Sequence, residues 1–173
     1  MVDSKDWTWV LGRTCPECSF AVATLPREEI APTARQVTDE FVVVLGRDDV
    51  RERPSPEVWS PLEYGCHLVD VFGVIGGRLR LLLEEHDPVF PDWDQDATAL
   101  ERRYDLQDPD VVAGQVRVAG FEMARAFEAV RDDQWDRPGM RSNGSRFTVE
   151  TLGRYVIHDL AHHRWDVGDA HGS

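Results

Sequence analysis

The stretch WSPLEYGCHLVDVFGVIGGRLRLLLEEH, beginning at Trp59, constrains this chain more than any other. Ser60 stands where a side-chain oxygen caps a helix. Pro61 takes the first helical position, where a missing N–H costs nothing, and Glu63 completes a capping box. Cys66, Val69, Val71, Phe72, Val74, Ile75, Leu79, Leu82 and Leu83 then recur as a wide apolar stripe, so the pattern predicts a helix over 61–85. Gly73, Gly76 and Gly77 weaken it locally and are expected to admit a neighbouring helix at close range.

Three more helices of comparable length follow from the same logic. A helix is expected over 26–47, or from Pro32 onward if that proline marks its start. Asp108 and Pro109 open another, with Val112, Val116, Ala119, Met123, Phe127 and Val130 at helical spacing. Thr148 can cap a last helix to about Val167, ahead of a disordered GDAHGS tail. Between the second and third, a long connector predicts a short helix over 98–104, with Phe90 and Trp93 ordering the rest. No strand pattern rivals these helices, so the expected fold is all-α, a four-helix bundle. The first 25 residues read as an irregular arm carrying TCPEC, and 26–173 as the bundle.

Charge and cysteine usage narrow the function. With 32 acidic against 19 basic residues the net charge is -13. Nucleic acid and anionic membranes are disfavoured as partners, since either needs a clustered positive surface. No apolar run spans a bilayer and no signal peptide is evident, and Cys15, Cys18 and Cys66 do not make a disulfide framework, so a cytoplasmic location is expected.

The chemistry concentrates in HDLAHHRWDV near the C-terminus. His158 and His162, four residues apart, share one helix face at a spacing that suits one ion, whereas His163 points about a hundred degrees away and reads as a bystander. His67, one turn before Val71, should face the bundle interior. Two readings stand for it: a core histidine hydrogen-bonded to a carbonyl or tyrosine, or a third ligand beside the pair. Asp70, Asp159 and Asp166 are available to orient the imidazoles, or are surface charges. Glu63 and Tyr155 are placed to border a pocket, with structural filling as the alternative. His86 answers a helix dipole, and His171 lies in the tail. Cys66 reads as packing, because helix neighbours diverge too far for a Cys–His pair. One CxxC is half of a zinc ribbon without its second half, so Cys15 and Cys18 read as part of a structural arm, with a redox or metal role as the other possibility.

A histidine early in the second helix, in WSPLEYGCHLVDVFG, and an HxxxH pair on the last, in RYVIHDLAHHRWDV, resemble the DinB-like superfamily of four-helix metalloproteins. The resemblance runs over about 26–167 and includes PVFPDWDQDATALERRY, similar to actinobacterial members. It implies an up-down-down-up bundle in which His67, His158 and His162 hold a divalent metal, zinc or nickel. The superfamily includes thiol-dependent S-transferases and the mycothiol-dependent maleylpyruvate isomerase; the latter has a glutamate ligand on its last helix, where this sequence has histidine in both positions, so isomerase activity is not carried over. Thus a metal-dependent transferase using a low-molecular-weight thiol on a small-molecule substrate is one expectation. A non-catalytic metal- or ligand-binding bundle is the other. Apolar positions on outer helix faces add the expectation of a homodimer.

Overall fold

A computed structural model describes residues 7–168. The predicted tail after Gly168, with His171, lies outside the described residues. Four long helices form the bundle: α1 (Ile30–Leu45), α2 (Pro61–Glu84), α4 (Pro109–Glu128) and α5 (Val149–Asp166). A short α3 (Gln95–Glu101) sits in the connector between α2 and α4. Both α1 and α2 pack against α4 and against α5. Phe41, Leu68, Leu79, Val116, Phe127, Leu152 and Ile157 lie in the resulting core.

The start signals are realised as hydrogen bonds. The Ser60 hydroxyl accepts from the Glu63 amide at 3.3 Å while the Glu63 carboxylate accepts from the Ser60 amide at 2.9 Å. Asp108 accepts from the amides of Asp110 and Val111, and Thr148 from that of Thr151. Helix α1 starts at Ile30, after a single tight turn at Arg27–Glu29. Pro32 therefore falls in its first turn, where the absent N–H has no partner to lose.

Three details differ from expectation. The short helix overlaps the expected 98–104 but starts earlier, at Gln95, and ends at Glu101, because Asp94 caps it through the Ala97 amide at 2.9 Å and Arg103, at φ 49°, prevents its continuation. A Cβ at Gly73, Gly76 or Gly77 would meet nothing within 4 Å, so these glycines admit no neighbour. Close approach occurs elsewhere. A Cβ on Gly65 would lie 2.7 Å from Leu45, and one on Gly120 would collide with Thr38 and Phe72.

A small sheet is also present. Strand β1 (Val89–Phe90) runs parallel to β2 (Pro138–Arg141), which pairs antiparallel with β3 (Arg146–Thr148), Gly139 opposite Phe147. Gly144, at φ 91°, turns the hairpin, a conformation glycine adopts without steric cost. Strands of two to four residues are too short to show alternation in sequence. The sheet carries Arg141 to the wall of the cavity described next.

The N-terminal arm, beginning with a tight helical turn at Trp7–Leu11, packs on α5 and buries Val10, Cys15 and Val22 completely. No helix among the described residues is long and apolar enough to cross a membrane.

Candidate metal centres

The sequence pattern grouped His67 with His158 and His162; the structure divides them between two clusters. His67 lies with Asp159 and His163, and His158 and His162 lie with Cys15 and Cys18. Within each cluster one potential ligand atom per residue falls within 4.8 Å of the others. The physical reason is helix phase. The face of α5 turned toward His67 is one residue, about a hundred degrees, round from the face that HxxxH selects. His163, expected to be a bystander, packs its ring edge-on to that of His67 at 4.9 Å.

His67 is 1% exposed, stacked on Trp93 at 5.5 Å and flanked by Trp59 at 5.3 Å. Its Nδ1 has no hydrogen-bond partner among the described residues, and its Nε2 has only a 4.0 Å contact to the Asp159 carboxylate. The core-histidine reading required a carbonyl or tyrosine bond at this ring. Burial, with the neighbouring His163 charge, pushes the His67 pKa down to about 3, so the ring is neutral.

His163 is the counterpart. Burial opposes its charge, yet Asp159 at 3.4 Å and Asp166 at 2.9 Å outweigh that and hold its pKa up at about 10. Desolvation likewise works against the Asp159 carboxylate, but the imidazoles around it bring it down to about 2. Two carboxylates that favour a proton on His163 also favour a divalent cation, and two imidazoles with one carboxylate are a donor set suited to zinc or nickel. The nitrogen of His67 turned toward these donors is Nε2, 4.0 Å from the Asp159 carboxylate and available as a ligand because the ring is neutral.

This cluster opens onto a cavity of about 300 Å³ whose wall includes Trp7, His67, Arg78, Trp93, Arg141, Tyr155 and Asp159. Arg78 is buried, with one bond to the Pro91 carbonyl at 3.3 Å, and burial, together with the Arg141 charge, lowers its pKa to about 10. Arg141 donates to Asp92 at 2.6 Å, while its buried Nε has no hydrogen-bond partner among the described residues. The cavity wall thus presents two guanidinium groups beside three carboxylates, Asp92, Asp94 and Asp159.

Other expected site residues take other places. Tyr155 lines the cavity, its ring edge-on to Phe147. Asp159 belongs to the metal-competent cluster itself rather than behind it. Glu63 does not border this cavity: Arg53 and the Ser60 hydroxyl hold it at the start of α2. Asp70 accepts from the Tyr104 hydroxyl at 2.5 Å and pairs with Arg102, so it orients no imidazole. Cys66 packs in the core, and His86 is exposed just beyond α2.

In the second cluster, Cys15 Sγ lies 3.8 Å from His162 Nδ1 and Cys18 Sγ lies 3.8 Å from His158 Nε2. Neither thiol is in a disulfide. Sequence reasoning separated these four residues because the arm and the last helix lie some 140 positions apart. The signal was present in the count: a CxxC lacking two partners, and one more i,i+4 pair on α5 than a single site uses.

Residues 32–167 match the family model of the DinB superfamily. No curated protein sequence matches the chain. Among solved structures, it is similar to YfiT from Bacillus subtilis, described as a probable metal-dependent hydrolase with an unusual four-helix bundle topology. The TM-score is 0.72 at 19% identity, over 90% of each chain. It is also similar to the mycothiol-dependent maleylpyruvate isomerase, with a TM-score of 0.65 at 16% identity, over 85% of this chain and 62% of the isomerase. At these identities the likeness establishes the four-helix fold.

Proposed function

This chain belongs to the DinB superfamily, and from that premise we propose that it is a metal-dependent enzyme acting on a small anionic molecule, with a low-molecular-weight thiol as co-substrate. The observation that carries the reading is the cluster of His67, Asp159 and His163 opening onto a cavity that also presents Arg78 and Arg141. His67, Asp159 and His163 would hold the ion, zinc or nickel. When bound, such an ion supplies Lewis acidity, lowering the pKa of a nearby thiol or polarising a substrate oxygen.

The chain's own residues do the rest. Asp166, at 2.9 Å from Nδ1 of His163, fixes that ring so that Nε2 faces Asp159. Trp59 and Trp93 enclose His67 and keep water from that side. Arg78 and Arg141 are the cationic groups of the wall that would hold a carboxylate or comparable anion. In a thiol transfer the sulfur bonds to the electrophilic carbon, the leaving group departs with its bonding pair, and the thiol proton passes to solvent. Asp159 would give the ion a carboxylate ligand on the last helix, but the HxxxH pair carries histidine at both positions, so isomerase activity itself is not proposed. A cytoplasmic setting and a homodimer belong to the same proposal, with exposed Val43, Val111 and Val118 on α1 and α4 as apolar positions for a second copy.

The test is a screen of metal-replete protein with small thiols and carboxylate-bearing electrophiles. Turnover that His163→Ala abolishes is expected. A metal-loaded wild type with no turnover across that panel would favour the non-catalytic metal- or ligand-binding bundle.

A further inference from the structure

The CPEC arm carries a different message. Residues Cys15 to Phe20 form a closed turn: the Cys15 amide donates to the Phe20 carbonyl at 3.1 Å and the Ser19 amide to the Cys15 carbonyl at 2.9 Å. Ser19 sits at φ 60°, left-handed backbone that a serine adopts only at some cost, so the turn is held by what surrounds it. The turn brings both thiols onto the α5 face that bears His158 and His162.

Three features mark the cluster as a ligand set. The sulfur–nitrogen separations of 3.8 Å are long for hydrogen bonds. They match roughly 3.3–3.8 Å between donors of a tetrahedral ion bonded at about 2.0–2.3 Å. The two imidazoles each turn a ring nitrogen toward a different sulfur. Finally, the far nitrogen of His162 faces the Glu17 carboxylate at 3.4 Å, an arrangement that places the ring proton there and leaves the Nδ1 lone pair turned toward Cys15 and available to an ion. Glu17 lies between the two cysteines in sequence, so one turn supplies both thiols and the orienting carboxylate.

We propose that Cys15, Cys18, His158 and His162 bind a structural zinc ion that fastens the N-terminal arm to α5. All four positions are filled by protein, as in a closed structural site, whereas the His67 cluster offers three ligands and an adjoining cavity. The ion crosslinks positions 140 and 147 residues apart. It also seats Trp7, whose ring lies 5.7 Å from that of His158 and 5.1 Å from that of His162, in the wall of the cavity. The arm is therefore a metal-fixed part of the pocket.

X-ray absorption on protein purified without a metal-affinity column tests this directly. The expected zinc spectrum contains a sulfur shell at about 2.3 Å. That shell disappears in the Cys15→Ser/Cys18→Ser double variant and persists in His163→Ala, which separates this site from the catalytic reading. Cobalt replacement of the wild-type ion should give near-ultraviolet sulfur-to-cobalt charge transfer. Should the double variant fold poorly, His162→Cys is expected to keep the ion with a larger sulfur contribution. The proposal is overturned if bound zinc in wild type shows no sulfur neighbour, if the double variant keeps its full metal content, or if the purified chain carries a Cys15–Cys18 disulfide and no ion at this position.

Discussion

Replacing His67 by leucine separates a metal ligand from a core histidine through the sign of its effect on stability. The His67 ring is almost fully buried, with an unpartnered Nδ1 and only a 4.0 Å contact at Nε2. An unsatisfied buried polar group costs about 1–3 kcal/mol, which leucine removes, while the lost stacking on Trp93 gives back about 0.5–1.5 kcal/mol. Fully chelated His67→Leu should therefore unfold in urea within about 1 kcal/mol of chelated wild type, or be more stable. Zinc reverses the order. At a free concentration a hundredfold above the dissociation constant, one site contributes about 2.7 kcal/mol. Zinc held by the cysteine cluster stabilises both proteins, so the difference between their zinc-induced increments isolates the His67 site. Wild type should gain about 2.7 kcal/mol more than His67→Leu. A chelated variant destabilised by more than about 2 kcal/mol, or equal zinc increments in the two proteins, would show that His67 is a core histidine and not a metal ligand.

Other perturbations have defined outcomes. Arg141→Gln should raise KM for an anionic substrate by roughly 10–100-fold with kcat less affected, since a charge-assisted hydrogen bond is worth about 1.5–3 kcal/mol; unchanged KM in steady-state kinetics would remove Arg141 from substrate binding. Gly120→Ala should cost about 1–3 kcal/mol by overpacking, because the added methyl on α4 meets Thr38 of α1 and Phe72 of α2; chemical denaturation measures it. Although burial pushes Glu63 upward, its bonds from Arg53 and Ser60 outweigh that and hold its pKa below the ordinary glutamate range. Its contribution to stability is thus complete above the unfolded-state pKa and lost as pH falls through the lower folded-state value. Glu63→Gln should flatten that acid limb in denaturation curves recorded across pH, and an unaltered limb would assign it to other groups.

The helices were legible wherever a cap and a stripe agreed. Ser60, Asp108 and Thr148 each mark a start that the hydrogen bonds reproduce, because capping is local chemistry that needs no tertiary context. The short strands were not legible, since Val89–Phe90 acquires its pairing only when Pro138–Arg141 arrives from almost fifty residues away. The candidate site shows the same division. That α5 bears paired ligands, and that His67 faces inward, follows from periodicity. Which α5 pair meets His67 does not, because His158/His162 and Asp159/His163 have identical spacing one residue apart, and only the rotation of α5 against α2 selects between them. The cysteine arm had no periodicity to read at all. Its assignment depends on a fold-level contact between the arm, including the turn at Trp7–Leu11, and the last helix.

That rotation is the central claim, and metal stoichiometry on single-alanine variants tests it most directly. Elemental analysis after equilibration with limiting free zinc should find two ions per chain in wild type, and one in both His163→Ala and His158→Ala. X-ray absorption should then show the ion remaining in His163→Ala bound to sulfur, and the one remaining in His158→Ala bound to nitrogen and oxygen alone. If His163→Ala keeps the full wild-type complement, or if His67→Ala and His158→Ala lose the same ion, the two-cluster account is contradicted and the single triad suggested by HxxxH stands in its place.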